Sequence, residues 1–311
     1  MLSFYARIWK ATGRVQILLI VLSLIVAALA AVPLQFQKDI INALGPELEV
    51  NTLVWMCGGY LAVIAITNAF KFALNYRSSL LGEATIRRIR AAVYEARLDD
   101  TQDLPIQKQS SGTIATIISA EAEEVGRFVG QAIANPIVQI GTLVSVVSFV
   151  AATQPYLAGF IVAVVVPQAL IVLVLQARVN ARVKERTIFL RQATGALTQE
   201  DVTEAQQAVL DDFDQIYETR RGIFRLKLSM KFAMNLLSGF GLVGILMIGG
   251  LLMMRGETDI GTVVASISAM DKVNGPWRLL LNFYKELSSV RVKFDLIVGS
   301  GLAPQKTPTK T

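Results

Sequence analysis

Residues 15–34 form a mostly apolar stretch, VQILLIVLSLIVAALAAVPL, that contains no charged side chain. A helix of about 20 apolar residues crosses the roughly 30 Å hydrocarbon core of a bilayer, so this stretch predicts a transmembrane helix. Five further segments of this kind cover residues 52–75, 128–153, 156–177, 232–254 and 260–284. The sequence therefore predicts an all-α membrane protein with six transmembrane helices.

The connections between these segments alternate in length. The first, third and fifth are short, whereas the second and fourth each contain about 50 residues, far more than ordinary connections. Both long connections are charged, and their apolar residues recur at helical spacing. We expect the helices to continue beyond the membrane, where about 20 additional residues would extend them by roughly 30 Å.

Composition excludes several other classes of protein. Because the 53% of hydrophobic residues are gathered into spans, the 311-residue chain is expected to be one polytopic bundle rather than two globular domains. Histidine is absent and Cys57 is the only cysteine, which excludes a disulfide framework and argues against a metal site. The net charge of +6 could suit a nucleic acid, but the charges sort by membrane side, so no such partner is expected.

Basic residues mark one side of the membrane. Arg7, Lys10 and Arg14 precede the first span, and the two long connections hold most of the other basic residues. The opposite side has only Lys38 and Arg255, accompanied by acidic residues. Because basic loops stay cytoplasmic, we expect both termini and both long connections in the cytoplasm. This predicts a multi-pass protein of the plasma (bacterial inner) membrane.

The N-terminal residues 1–13 form a separate amphipathic pattern. Their apolar and aromatic residues recur on one helical side: Met1, Phe4, Tyr5, Ile8 and Trp9. This predicts a short helix lying in the membrane interface, before a six-helix domain over residues 14–298 and a polar tail over 299–311. A signal peptide cleaved near Ala30 is the alternative, but its removal would leave five spans and invert the charge pattern.

Helix breakers divide both long connections. The helix leaving span two is expected to end near Asp99-Asp100 and Pro105, and the helix leaving span four is expected to be interrupted at Gly195. The turns near residues 98–109 and 194–203 are therefore natural contact points for a cytoplasmic partner. A stalk that only stiffens the bundle remains the alternative.

Three stretches resemble the membrane domain of ABC exporters. Residues 90–112 (RAAVYEARLDDTQDLPIQKQSSG) resemble the segment that holds the first coupling helix, and residues 112–125 resemble its return to span three. Residues 254–297 (MRGETDIGTVVASISAMDKVNGPWRLLLNFYKELSSVRVKFDLI) resemble span six and its descent to a nucleotide-binding domain. Glu121 stands where that family usually has Asp, and the pattern of the second coupling helix is not clear around residues 199–222.

The resemblance implies a transmembrane domain without its own motor. No G-x-x-x-x-G-K-[ST] motif occurs, so we expect no catalytic residue, metal site or ATPase activity here. ATP and Mg²⁺ would be bound by a separately encoded subunit, and a second transmembrane subunit, like or unlike, would complete a dimer with swapped helices. A chain cut before its own nucleotide-binding domain is the alternative. Coupling to the ATPase partner is expected at Leu98, Asp99, Asp100, Thr101, Gly195, Leu197 and Gln199.

Polar residues inside the spans are candidates for a substrate pathway, because such groups are costly in a membrane. They are Asn68, Lys71 and Asn75 in span two, and Asp271, Lys272, Arg278 and Asn282 in span six. The alternatives are snorkelling of Lys71 to the interface and an internal ion pair between Asp271 and Lys272. As a pathway they would form a mostly basic wall, suited to anionic or amphipathic cargo.

A hinge is predicted at Asn274, Gly275 and Pro276, because proline removes a helix hydrogen bond and glycine adds backbone freedom. Pro33, Pro136 and Pro167 are weaker candidates. Two other functions stay open. One is a proton-driven transporter of the same fold, with Asp271 and Glu286 as proton carriers, and the other is a membrane scaffold that does not transport.

Overall fold

A computed structural model describes residues 2–45, 48–98, 114–115, 117–197 and 202–299. These residues contain no β-strand. The α-helices are α1 (Leu2–Ala28), α2 (Val32–Ala43), α3 (Val50–Leu98), α4 (Ala122–Gln131), α5 (Ala134–Thr153), α6 (Pro155–Leu197), α7 (Val202–Met254) and α8 (Ile260–Gly299). A π-helix, Ile117–Glu121, precedes α4. The predicted all-α membrane fold is confirmed.

Five helical segments of the described chain are long and apolar enough to cross a membrane: Thr12–Ala43, Val50–Leu98, Ile117–Thr153, Pro155–Val183 and Phe213–Met254. The sixth predicted span lies within α8, which is helical throughout. Asp271, Lys272 and Asn274 lower its mean hydropathy, so α8 is not among the five. The apolar pattern located this helix correctly but overstated its similarity to the others.

The described parts of the long connections extend the membrane helices. Helix α3 contains 49 residues, α6 contains 43 and α7 contains 53, whereas about 20 suffice to cross a bilayer. The predicted interruption at Gly195 is wrong, because α6 runs through Gly195 and ends at Leu197. One glycine costs a helix only about 1 kcal/mol relative to alanine, too little to end it. Asp99, Asp100, Thr101, Pro105 and Gln199 lie outside the described residues.

The N-terminal segment does not form a helix of its own. Helix α1 continues without a boundary from Leu2 to Ala28, so no helix end falls at residue 13, and the interfacial position of the N-terminal residues stays a prediction. The helix is continuous because residues 2–28 contain no proline and only one glycine, Gly13. Ile8 is buried in a hydrophobic cluster with Val93 of α3 and Phe283 of α8. This cluster packs the first turns of α1 against α3 and α8.

The chain packs into two compact units, Met1–Thr153 with Asp259–Thr311, and Gln154–Thr258. The second unit is the antiparallel pair of α6 and α7, in which Phe160 packs against Phe240 and Gln168 reaches Ser238. The single bundle expected from composition is therefore two packing units, because α6 and α7 pair along their length.

Small residues set the distance between α3 and α4 in the first unit. A Cβ atom on Gly130 would overlap the backbone oxygen of Ser78, and one on Gly126 would overlap Ile86. The Ser78 hydroxyl donates a hydrogen bond to the Gly130 carbonyl oxygen at 2.7 Å. Close approach of two backbones is the common use of glycine in membrane helices.

Span three is broken between α4 and α5, which are separated by Ala132 and Ile133. Pro136 lies in the first turn of α5 and has no backbone N–H to donate. Side chains reach the carbonyl oxygens before the break, Gln16 Nε2 at 3.4 Å from Val129 O and Ser78 Oγ at Gly130 O. Helix α8, in contrast, continues through Asn274, Gly275 and Pro276, so the hinge there stays a prediction.

At the other end of the first unit, α2 is tied to the start of α8. Asn42 Nδ2 donates to Asp259 Oδ1 at 2.7 Å, and Asn42 Oδ1 accepts from the Gly261 backbone N–H at 2.7 Å. Asp259 also accepts from the Thr262 backbone and hydroxyl, at 2.6 and 2.9 Å. Burial raises the pKa of Asp259, but these hydrogen bonds and the charge of Lys38 outweigh it and lower that pKa overall.

Candidate functional site

A cavity of about 650 Å³ lies inside the first unit, lined by α1, α2, α3, α5 and α8 and by the last residue of α4. It contains four of the residues predicted for the substrate pathway. Asn68, Lys71 and Asn75 line it from one side of α3, as their spacing of three and four residues requires. Lys272 lines it from α8. The structure thus brings residues from two predicted stripes to one cavity.

The other three predicted pathway residues do not line this cavity. Asp271, Arg278 and Asn282 are exposed on a different side of α8. Successive helix residues differ by about 100° in direction, so the neighbours Asp271 and Lys272 face different surroundings. No ion pair joins these two residues, both of which the structure describes. The internal pair considered from the sequence is therefore absent.

Span three contributes polar residues that the sequence analysis did not identify. Gln131, Asn135 and Gln139 follow one another at intervals of four and line the cavity, with Thr142 beyond them. Gln139 Nε2 donates to Asn135 Oδ1 at 3.0 Å. Their regular spacing within an apolar segment was the available signal, because it places them on one side of a helix.

Lys272 stabilises a break in the first span. Its ammonium group donates to the Ala30 carbonyl oxygen at 3.2 Å, in the segment between α1 and α2. A carbonyl outside regular helix needs such a partner in a membrane. Lys71 makes no hydrogen bond or ion pair with any part of the chain that the structure describes. Two lysines thus line one cavity, one bonded to the backbone and one free.

No carboxylate is among the described residues that line the cavity, so Lys71 and Lys272 are the only formally charged residues in this described lining. Around them are the amide side chains of α3 and span three, which can donate or accept hydrogen bonds. Among the described residues that line the cavity, no nucleophile is hydrogen-bonded to a base and no acidic residues cluster. Ammonium and amide groups are donors that can pair with an anionic group.

The predicted coupling residues are described only in part. Leu98 is the last residue of α3 and is 62% exposed. Gly195 and Leu197 lie in the last turn of α6. Leu98 is therefore an apolar side chain at the end of a long helix, open to contact by another protein. The remaining coupling residues fall outside the described chain.

A second, smaller cavity of about 420 Å³ lies between the extensions of α6 and α7. Two ion pairs border it, Arg182 with Glu185 at 3.0 Å and Arg221 with Glu218 at 3.2 Å. All four side chains are about half exposed, and such pairs contribute little to stability. This cavity is polar and lies in the extensions rather than in the apolar part of the pair.

Residues 16–277 match the family model of the ABC transporter transmembrane region. The chain belongs to this family, as the resemblance of its coupling and span-six segments implied. No individually curated protein matches the chain. It is an integral, multi-pass membrane component of a transporter, and its membrane helices form the fold of ABC exporters.

Proposed function

We propose that this chain is the permease subunit of an ABC-type exporter, driven by a separately encoded ATP-binding subunit. The observation that carries the proposal is the length of the helices in a chain of this family. At about 1.5 Å per residue, the 49 residues of α3 measure roughly 70 Å, more than twice the hydrocarbon core. Such extensions provide the lever by which a cytoplasmic motor can move membrane helices.

The expected partners follow from the same proposal. ATP and Mg²⁺ belong to the motor subunit, and a second transmembrane subunit completes the pathway. Both termini and both helical extensions lie in the cytoplasm of a bacterial inner-membrane protein, as the distribution of basic residues favours. The α6–α7 pair, a packing unit of its own, is the part we expect to be exchanged between the two transmembrane subunits.

Transport would proceed by alternation between two conformations with different affinity for the cargo. The breaks at residues 29–31 and 132–133 lie in helices that line the first cavity. Movement at these breaks would alter the cavity without bending a continuous helix. They are therefore stronger hinge candidates than Asn274, Gly275 and Pro276, where α8 is unbroken.

The test is site-specific photo-crosslinking of the tagged full chain in its native host. A photoreactive amino acid replaces Leu98, at one end of α3, or Val50, at the other end of the same helix. Both side chains are largely exposed, which makes Val50 a matched control. We expect Leu98 to capture a protein with a phosphate-binding loop and Val50 not to capture it. The purified complex should hydrolyse ATP and move cargo across vesicles.

Two other outcomes would overturn the proposal. Uptake that follows an imposed pH gradient, without any ATPase at Leu98, would identify a proton-driven transporter, and loss of uptake in Glu286→Gln would support that reading. A non-ATPase partner at Leu98, with no transport by the purified complex, would identify a scaffold. Equal capture of the ATPase from Leu98 and Val50 would refute the assignment of α3's C-terminal end as the coupling end.

A further inference from the structure

The charges that line the first cavity are of one sign. Lys71 and Lys272 line it, and none of the other lining residues that the structure describes is a carboxylate. Lys272 lies 13 residues after Asp259, about 20 Å along α8. Two like charges that line one cavity repel each other. An anion between the two ammonium groups would remove this repulsion and pair with both.

The neighbouring amides suit an oxyanion as well. Asn68 and Asn75 extend the polar wall of α3 over about 10 Å, on either side of Lys71. The bond from Gln139 occupies the Asn135 oxygen, so the Asn135 amide nitrogen is left as a donor. Hydrogen bonds to ionised acceptors are stronger than neutral ones. The wall formed by α3 and α5 is thus a set of donors for a negatively charged group.

The lining from α1, α2 and α8 is mostly apolar, apart from Lys272. Helices α1 and α2 and the segment between them contribute Val26, Leu29 and Pro33, and α8 contributes Pro276 and Leu279 next to Lys272. The volume of about 650 Å³ lies in the range of small-molecule sites. A ligand that fills this space meets amide side chains and Lys71 on the side of α3 and α5, and it meets Lys272 among apolar side chains on the side of α1, α2 and α8.

We propose that this cavity binds an anionic amphiphile, whose phosphate, sulfonate or carboxylate group lies between Lys71 and Lys272 and whose apolar part contacts α1 and α8. Calling this ligand the cargo rests on the proposed function, whereas the binding site does not. The chemistry is shared by anionic phospholipids and by diffusible amphiphiles. An uncharged apolar ligand or a cationic amphiphile would leave the hydrogen-bond donors of α3 and α5 without an anionic partner.

The experiment uses the full chain in nanodiscs of neutral phosphatidylcholine, without any ATPase. The probes are two photoreactive C12 chains, one with a phosphate and one with a trimethylammonium head group. The labelled peptides are identified by mass spectrometry. We expect the phosphate probe to label the cavity-lining parts of α3 and α5 at least tenfold more than the ammonium probe does. Excess dodecyl phosphate should abolish this labelling.

Substitutions of single lysines test whether the charge of Lys71 binds the anionic head group. Lys71→Gln should reduce labelling by the phosphate probe about fivefold or more, and Lys71→Arg should retain it, since Lys71 has no structural partner in the described chain. Lys227→Gln, which removes an exposed lysine of the second unit, is the matched control and should change nothing. Equal labelling by both probes, or unchanged labelling of Lys71→Gln, overturns the proposal.

Replacing the bilayer by phosphatidylglycerol separates the two sources of ligand. Loss of labelling there identifies the lipid head group as the natural occupant, and retained labelling identifies a diffusible amphiphile. Both results uphold an anionic site. The labelling experiment contains no ATPase, so its result does not depend on the proposed function. If the cavity is labelled but no ATPase partner is found by crosslinking, the anionic site is retained and only the exporter assignment is refuted.

Discussion

Substitution of Gly130 tests the packing that positions the wall of the cavity. Gly130 precedes the cavity-lining Gln131 and packs directly against the backbone of α3. In Gly130→Ala the new methyl group meets the Ser78 carbonyl oxygen at a distance that atoms do not tolerate, and it lies 3.1 Å from the Gly82 nitrogen, which is closer than most such contacts. Since neither neighbour is a flexible side chain, α4 must move away from α3.

The expected loss of stability has two parts. Overpacking against a rigid neighbour costs about 1–3 kcal/mol. The shift also lengthens the 2.7 Å bond between Ser78 Oγ and Gly130 O, and a hydrogen bond between membrane helices contributes about 0.6 kcal/mol on average. Alanine gains up to about 1 kcal/mol in helix propensity over glycine, which offsets part of this. A net loss of about 1–3 kcal/mol follows.

The measurement is the free energy of unfolding of the chain, followed by circular dichroism as SDS is added to mixed micelles. Gly58→Ala is the control, because Gly58 lies in α3 with no atom within 4 Å of the position of a Cβ. We expect Gly58→Ala to be neutral or slightly stabilising and Gly130→Ala to be destabilised. If both variants unfold at the same SDS fraction, the close approach of α3 and α4 is refuted.

Two further predictions concern polar residues outside this contact. The link between α2 and α8 should be sensitive to acid, because the lowered pKa of Asp259 means that its stabilisation is complete above about pH 5 and is lost as the pH falls through the folded-state pKa. The difference in Tm between the unmodified chain and Asp259→Asn should therefore shrink as the pH falls below about 5, and a constant difference would contradict the assignment. In the α6–α7 pair, Gln168 is fully buried, with Nε2 at 3.4 Å from Ser238 Oγ and no partner for Oε1 in the described structure. Gln168→Leu should leave stability unchanged or raise it by about 1 kcal/mol, since it removes an unpaired acceptor; a lower Tm would show that the bond to Ser238 is needed.

Four of the polar residues that line the cavity were among those predicted from the sequence, namely Asn68, Lys71, Asn75 and Lys272. The spacing of Asn68, Lys71 and Asn75 placed them on one side of a helix, which is a local property of helical geometry. The face of α8 that meets the cavity was not local information, because it depends on how α8 packs against α2 and α5. For that reason Lys272, set beside the predicted stripe, lines the cavity, and Asp271 does not. The regular spacing of Gln131, Asn135 and Gln139 is a local pattern as well, and it would have placed these three residues on one side of a helix.

The sequence by itself determined which segments are helical and which can lie in a membrane, because apolar length and helical spacing are properties of neighbouring residues. It also predicted that the helices of spans two and four continue beyond the apolar segments. Only the tertiary structure decided where span three breaks and what stabilises the break. Val129 and Gly130 accept hydrogen bonds from Gln16 and Ser78, which belong to other helices and are far away in the chain. A bond between distant residues depends on packing, and no local pattern specifies it.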